Sequence, residues 1–300
     1  MKKIISMLLA LAAAAAVFTG CSENAGNGTS GSSAEAAGFD TANEITVISR
    51  ENGSGTRGAF IELFGVEEKD ADGNKVDKTT KGAEIASKTD VVLTSVASNP
   101  YAIGYVSLGS LNNTVKALKI DGVEATTENV KNGSYGVARP FNIATKGEPA
   151  GLVKDFINFI LSKEGQEIVS GSYIAVNESA ESFTSEMPGG KITIGGSSSV
   201  TPIMEKLIEA YKKINTGAEI ELNQTDSTSG MTNAIDGSID IGMASRELTD
   251  SEKTELTPVQ IAIDGIAVVV NPENITDNLT KDQVKAIYVG DAATWADAVK

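Results

Sequence analysis

The residues best placed to do chemistry are hydroxyls gathered in three glycine-containing turns. These are SRENGSGTRG at 49–58, GGSSSVTP at 195–202 and DSTSG at 226–230. Each follows or precedes a segment with strand or helix character. Each can therefore aim backbone N–H groups and a serine or threonine hydroxyl at one spot beyond a sheet, where a helix dipole supplies about half a positive charge. That is a way to hold an anion with neutral donors. One serine at a helix start is ordinarily a cap and nothing more; three such turns in one chain argue for a ligand. Arginine is scarce, limited to Arg50, Arg57, Arg139 and Arg246. Two of the four sit in the tripeptide Ser-Arg-Glu, at 49–51 and 245–247. There a neighbouring carboxylate can hold the planar guanidinium fork ready for an oxyanion.

The rest of the composition removes other chemistries. The chain has 300 residues, no histidine and one cysteine. Without imidazole there is no Ser-His-Asp or Cys-His machinery and no imidazole metal site. A single cysteine leaves no disulfide within the chain and no thiolate zinc site. Forty acidic against 25 basic side chains give a formal charge of −15, the wrong sign for nucleic acid or for adhesion to anionic lipid by charge. An acidic protein that binds an anion must do so through local dipoles and hydrogen bonds, since its overall field repels the ligand. GSGTRG at 53–58 matches GxGxxG, but the acidic residue that a dinucleotide site needs on a second strand is replaced by a charged loop, EEKDADGNKVDK at 67–78. In that loop Gly73 is out of register for a calcium hand, so an Asp-Gly turn explains it better. Nothing pairs two carboxylates as a glycosidase would.

The elements that must position these turns are legible from periodicity. EITVISR at 44–50 reads as a strand, followed by a helix with Phe60, Leu63 and Phe64 on one face. Leu152, Phe156, Phe159 and Ile160 mark a second helix. KITIGG at 191–196 is a strand, and Thr201-Pro202 opens a helix with Ile203, Leu207, Ala210 and Ile214 inward. DSTSG precedes a helix ending near Gly237, DGIAVVVNP at 264–272 is a buried strand, and Thr280 with Gln283 forms a capping box. Residues 177–190, with Pro188-Gly189-Gly190, read as a linker. The expected class is α/β.

The N-terminus reads as an export signal over 1–20, with Lys2 and Lys3 ahead of an apolar run from Ile4 to Phe18. The run is short for a membrane span. Residues 21–43, rich in Ser, Gly, Asn and Ala, read as a flexible tether. VFTGC at 17–21 resembles a bacterial lipobox, which would make Cys21 the lipidated first residue of the mature protein.

Taken together, GSSSVTP, QTDSTSGMTNAI, DIGMASREL, DGIAVVVNP, VKAIYVG, SRENGSGTRGAF, NPYAIGYVSL and ARPFNIATKG with FINFILSKEGQ resemble the phosphate-binding lipoproteins of bacterial phosphate ABC importers. These are PstS-like proteins of the periplasmic-binding-protein superfamily, and the likeness spans nearly all of 44–300. It implies two α/β lobes of a type II binding-protein fold closing like a clamp on inorganic phosphate, which is then delivered to ABC permease subunits in the membrane. The protein would be extracytoplasmic, held to the cell membrane by its lipid anchor, with no catalysis, cofactor or metal. Carried onto this chain, the implied phosphate ligands are Ser198, Ser199, Thr228, Ser229, Gly230, Arg50, Ser54, Gly55 and Thr56. Where family members have an aspartate that accepts the proton of hydrogen phosphate, this chain has Ser245 in Ala-Ser-Arg-Glu. Glu247, Asp226 or a hydroxyl is left for that role, and sulfate or molybdate becomes an alternative ligand. A secreted phosphoester hydrolase using a serine is a more remote alternative, and a cleft that has lost its ligand and serves adhesion or signalling is another. The segment order also differs from the common family order, which begins with GSSSVTP and ends with FINFILSKEGQ. This order is a circular permutation, with the usual termini joined by 177–190. On that basis one lobe covers 44–107 plus 271–300 and the other 108–270.

Overall fold

The computed structural model describes residues 38–300. The expected export signal, Cys21 and the tether up to residue 37 lie outside the described residues. The described chain forms a mixed α/β fold built on one ten-stranded sheet, with two separate two-stranded ribbons, Glu67–Lys69 with Lys75–Asp77 and Lys119–Ile120 with Asn278–Leu279. Its principal strands are β1 (Thr46–Arg50), β2 (Glu84–Ala86), β3 (Ala102–Ser107), β4 (Ala138–Thr145), β5 (Gly190–Ser197), β6 (Ala218–Thr225), β7 (Ile241–Ala244) and β8 (Thr257–Val270). They lie in the order β6-β5-β7-β4-β8-β3-β1-β2, and two short strands, Lys116–Ala117 and Ile174–Ala175, add to β8. Pairing is parallel at both ends and antiparallel in the middle.

The 14-residue β8 joins the two halves. Its first part, Thr257 to Gly265, pairs with β4; from Ile266 onward it pairs with β3. Burial alternates over TPVQ, half-buried then exposed, as in a strand with one wet face, whereas GIAVVV is buried throughout. The strand expected at 264–272 therefore begins seven residues earlier, at Thr257.

Two large apolar clusters fill the halves. One packs Val47, Phe60, Tyr105, Val268, Tyr288 and Trp295; the other packs Phe141, Phe156, Phe159, Leu207, Tyr211 and Ile241. Leu118, Ile120, Val130, Tyr135 and Val137 belong to the first cluster. A lobe boundary drawn at 107/108 puts them with the second. They go the other way because Lys116–Ala117 pairs with Val269 and Val270 at the far end of β8.

Six helices carry or brace the turns: α1 (Gly55–Leu63), α2 (Thr89–Ser98), α3 (Gly151–Leu161), α4 (Thr201–Ile214), α5 (Ser227–Asp236) and α6 (Lys281–Val289). Ser54 caps α1, Asp226 caps α5, and Thr280 with Gln283 forms the expected capping box on α6. Residues 177–189 contain no helix or strand but are tied down. Asp155 accepts from Ser185 Oγ at 2.7 Å, and Asn215 Nδ2 donates to the Pro188 carbonyl at 2.9 Å. The two ends of the described fold meet. Ile45 N–H donates to the Ala293 carbonyl at 2.8 Å, Glu44 bridges Thr294, and the Phe39 ring packs against Tyr101 and Trp295.

Candidate functional site

Strands β1, β5 and β7 end at Arg50, Ser197 and Ala244, and the turns beyond them converge. The first residue of α2, Thr89, joins them. Arg50, Ser54, Thr56, Thr89, Arg139, Ser198, Ser199, Ser227 and Ser245 are each 5% exposed or less. Four helices, α1, α2, α4 and α5, thus start at one buried cluster, bringing their unpaired N–H groups with them.

The side chains bond across the two halves. Arg50 Nη2 donates to Ser198 Oγ at 3.0 Å and Nη1 to Thr89 Oγ1 at 3.3 Å. Thr56 and Ser199 share a hydroxyl bond of 2.8 Å, and Thr89 lies 3.2 Å from both Ser198 and Ser199. Ser245 Oγ is 3.4 Å from Thr56 Oγ1 and from Ser227 Oγ, and its N–H donates to Ser227 Oγ at 3.1 Å. A backbone bond from Thr228 N–H to the Gly53 carbonyl, 3.1 Å, links the turns directly.

The Arg50 fork is set by its neighbours. Glu51 accepts from Nε at 2.8 Å and from Nη2 at 2.7 Å, as the Ser-Arg-Glu tripeptide suggested. Tyr105 Oη, pushed above its ordinary pKa by burial, accepts the Arg50 N–H at 3.1 Å. Arg57 braces the same turn, donating to the Arg50 carbonyl and to Asn52, each at 2.8 Å, and to Asp77 at 2.9 Å. Gly55 is required for the approach: a Cβ there would stand 2.5 Å from Ser227 Oγ and 2.8 Å from Ser245 Oγ.

Of the residues singled out in the sequence, Arg50, Ser54, Gly55, Thr56, Ser198, Ser199 and Ser245 come together here. Gly230 lies where α5 crosses β5, so close that a Cβ would meet Gly196 Cα at 2.7 Å. Thr228 and Ser229 sit differently. The Thr228 side chain is exposed, its hydroxyl 3.4 Å from Arg246, and Ser229 Oγ donates to Asp226 at 2.5 Å. Ser227 is the hydroxyl of DSTSG that enters the cluster. Neither proposed carboxylate acceptor reaches it. Glu247 is exposed beside Lys253, and Asp226 spends both oxygens on Ser229. Arg246 is spent on Glu252, at 2.7 and 2.8 Å, in a largely buried pair that has no bond to the clustered hydroxyls among the described residues.

Sequence reasoning missed Thr89 and Arg139. Arg139 Nη2 donates to Thr56 Oγ1 at 3.0 Å. It also lies 3.1 Å from Asp264 Oδ2, an ion pair by distance whose angle is too poor for a hydrogen bond. Burial pushes the Asp264 carboxyl up to about 6 despite the pull of Arg139, and burial lowers Arg139 to about 10, so it stays charged at neutral pH. Among the described residues no three His, Cys, Asp or Glu side chains group as a metal site.

A family model described as a PBP superfamily domain matches residues 24–164 and 181–300. The chain belongs to the PBP superfamily. Among its PBP relatives, the phosphate-binding protein PstS 2 of Streptococcus agalactiae serotype V is 48% identical over 286 residues, 95% of this chain and 94% of that protein. PstS 2 of Streptococcus pneumoniae serotype 4 is 46% identical over 257 residues, 85% of this chain and 88% of that one. The PstS protein of Staphylococcus aureus strain USA300 is 43% identical, but over only 110 residues, 34% of each chain. A solved structure of a phosphate ABC transporter's phosphate-binding protein from Streptococcus pneumoniae matches with a TM-score of 0.69 and 46% identity, covering 85% of this chain and 100% of that one. The two-lobed PBP fold is thus shared along with the sequence.

Proposed function

We propose that this chain is an extracytoplasmic receptor that captures inorganic phosphate between its two lobes and hands it to the permease of an ABC importer, without catalysis. The observation that carries this reading is the buried contact of Arg50 with Ser198 and of Thr56 with Ser199, between turns that belong to different halves of the sheet. Guanidinium, hydroxyls and four helix starts supply donors to an oxyanion with no need of net positive charge. The names of the PstS 2 relatives support phosphate as the ligand. Calorimetric titration of the purified protein tests it. Tight binding of phosphate, with sulfate and molybdate much weaker, is the expected result; tight sulfate binding without phosphate heat overturns it. The sulfate alternative has one observation in its favour. Among the described residues no carboxylate hydrogen-bonds the clustered hydroxyls, so none stands among them as a proton acceptor that would select against a fully ionised anion. Incubation with an aryl phosphate should release no phenol.

Lipidation at Cys21 anchors the protein outside the cell. Cys21→Ser should release it into the medium and lower its intact mass by the lipid; unchanged membrane retention would contradict this. The order of segments is a circular permutation of the common family order. The pairing of Glu44 with Thr294 supports it, since a short loop there would restore the usual connection.

A further inference from the structure

Arg50 is not alone among the hydroxyls. Arg139 projects from the second residue of β4, beside the point where β8 changes partner from β4 to β3. It is 3% exposed, and Nη2 donates to Thr56, the hydroxyl that also bonds Ser199. Among the described residues its Nε and Nη1 have no hydrogen-bond partner. A buried guanidinium with unspent N–H groups is costly unless an acceptor meets them. Its counter-charge is Asp264, its cross-strand partner on β8, itself completely buried. The two cations of the cluster are thus each matched by one carboxylate, Arg50 by Glu51 and Arg139 by Asp264, and among the described residues neither carboxylate hydrogen-bonds the clustered hydroxyls.

We propose that Arg139 is a second guanidinium ligand of the bound anion, reaching it beside Thr56 while Arg50 reaches it beside Ser198. This rests on the phosphate reading above and deepens it. Two forks that can only donate favour an anion presenting several unprotonated oxygens, so hydrogen phosphate, with three, suits them better than dihydrogen phosphate, its proton facing the serine hydroxyls.

The test is phosphate titration at pH 7.5 of the wild-type protein, of Arg139→Lys, and of the double variant Arg139→Gln/Asp264→Asn. The double variant removes both buried charges together, so no unpaired ion is left inside. Thermal unfolding without phosphate reports whether each protein is folded. The expected result is a cooperative transition for both variants, phosphate affinity at least thirtyfold weaker in the double variant, and an intermediate loss in Arg139→Lys, which keeps the charge but not the fork. If the double variant does not fold, Arg139→Lys decides, with at least a fivefold loss expected. Folded variants that bind phosphate within twofold of wild type overturn the inference and leave the phosphate receptor standing. A wild-type protein that binds no phosphate overturns both.

Discussion

Glu51 takes the Nε bond and one Nη2 bond of Arg50, which leaves the outer protons of the fork facing Thr89 and Ser198. Such a pre-set fork loses little entropy when an oxyanion arrives. Arg50→Ala should therefore weaken phosphate binding by about 2–5 kcal/mol, at least thirtyfold, as titration would show; an unchanged affinity would move the site elsewhere. At DSTSG the two neighbouring hydroxyls separate cleanly. Ser227→Ala should cost about 1–2 kcal/mol of binding by removing a buried partner of Ser245, while loss of the exposed Thr228 hydroxyl should change affinity less than twofold. The sequence showed that this turn carries hydroxyls but not which one points inward. Once Asp226 is the cap, each step along the first helical turn rotates the side chain by about 100°, and only packing against β7 fixes the phase. Arg139 was hidden for a related reason. Its contact with Asp264 depends on the antiparallel register of two strands far apart in sequence, and the single turn motifs contain no trace of that pairing.

At the scale of elements, the site depends on how closely helix starts approach one another. Gly55 begins α1 against the hydroxyls of the opposite half, and Gly230 lets α5 lie on the backbone of β5. Gly55→Ala should leave α1 intact, since alanine favours helix, yet force its start away from Ser227 and Ser245. The expected outcome is a thermal transition within a few degrees of wild type and phosphate binding at least tenfold weaker. Gly230→Ala meets backbone rather than side chain, so it should lower stability as well, by about 1–3 kcal/mol in urea denaturation. The elements themselves were mostly readable. The helix at 151–161 and the capping box of α6 follow directly from apolar spacing and cap chemistry. The short strand pairs Glu67–Lys69 with Lys75–Asp77, and β2 on the sheet edge, were not anticipated because three-residue strands carry too little periodicity.

For the whole molecule, the buried Arg139–Asp264 pair at the crossing between halves links folding to pH. The Asp264 carboxyl titrates near 6 in the folded protein, raised by burial, against an ordinary value near about 4 when unfolded. Arg139 faces it directly, with Tyr173 nearby and neutral. Because the folded state holds the proton longer, this group's contribution to stability is greatest at about pH 4 and falls as pH rises through 6, by on the order of 2–3 kcal/mol. The difference in unfolding free energy between wild type and Arg139→Gln/Asp264→Asn should follow that slope between pH 4 and 7; a difference independent of pH would contradict it. The two-lobed architecture was implied by the family resemblance, whereas the lobe boundary was not legible, because the one strand β8 runs through both cores and the short strand Lys116–Ala117 pairs with its far end. The most direct test of the account is a crystal structure grown with phosphate. It should place the anion with oxygens about 3 Å from Arg50, Thr56 and Ser198. Phosphate found instead in the separate cleft of about 440 Å³ lined by Lys131, Lys163 and Tyr173, with the hydroxyl cluster still bonded to itself, would contradict it.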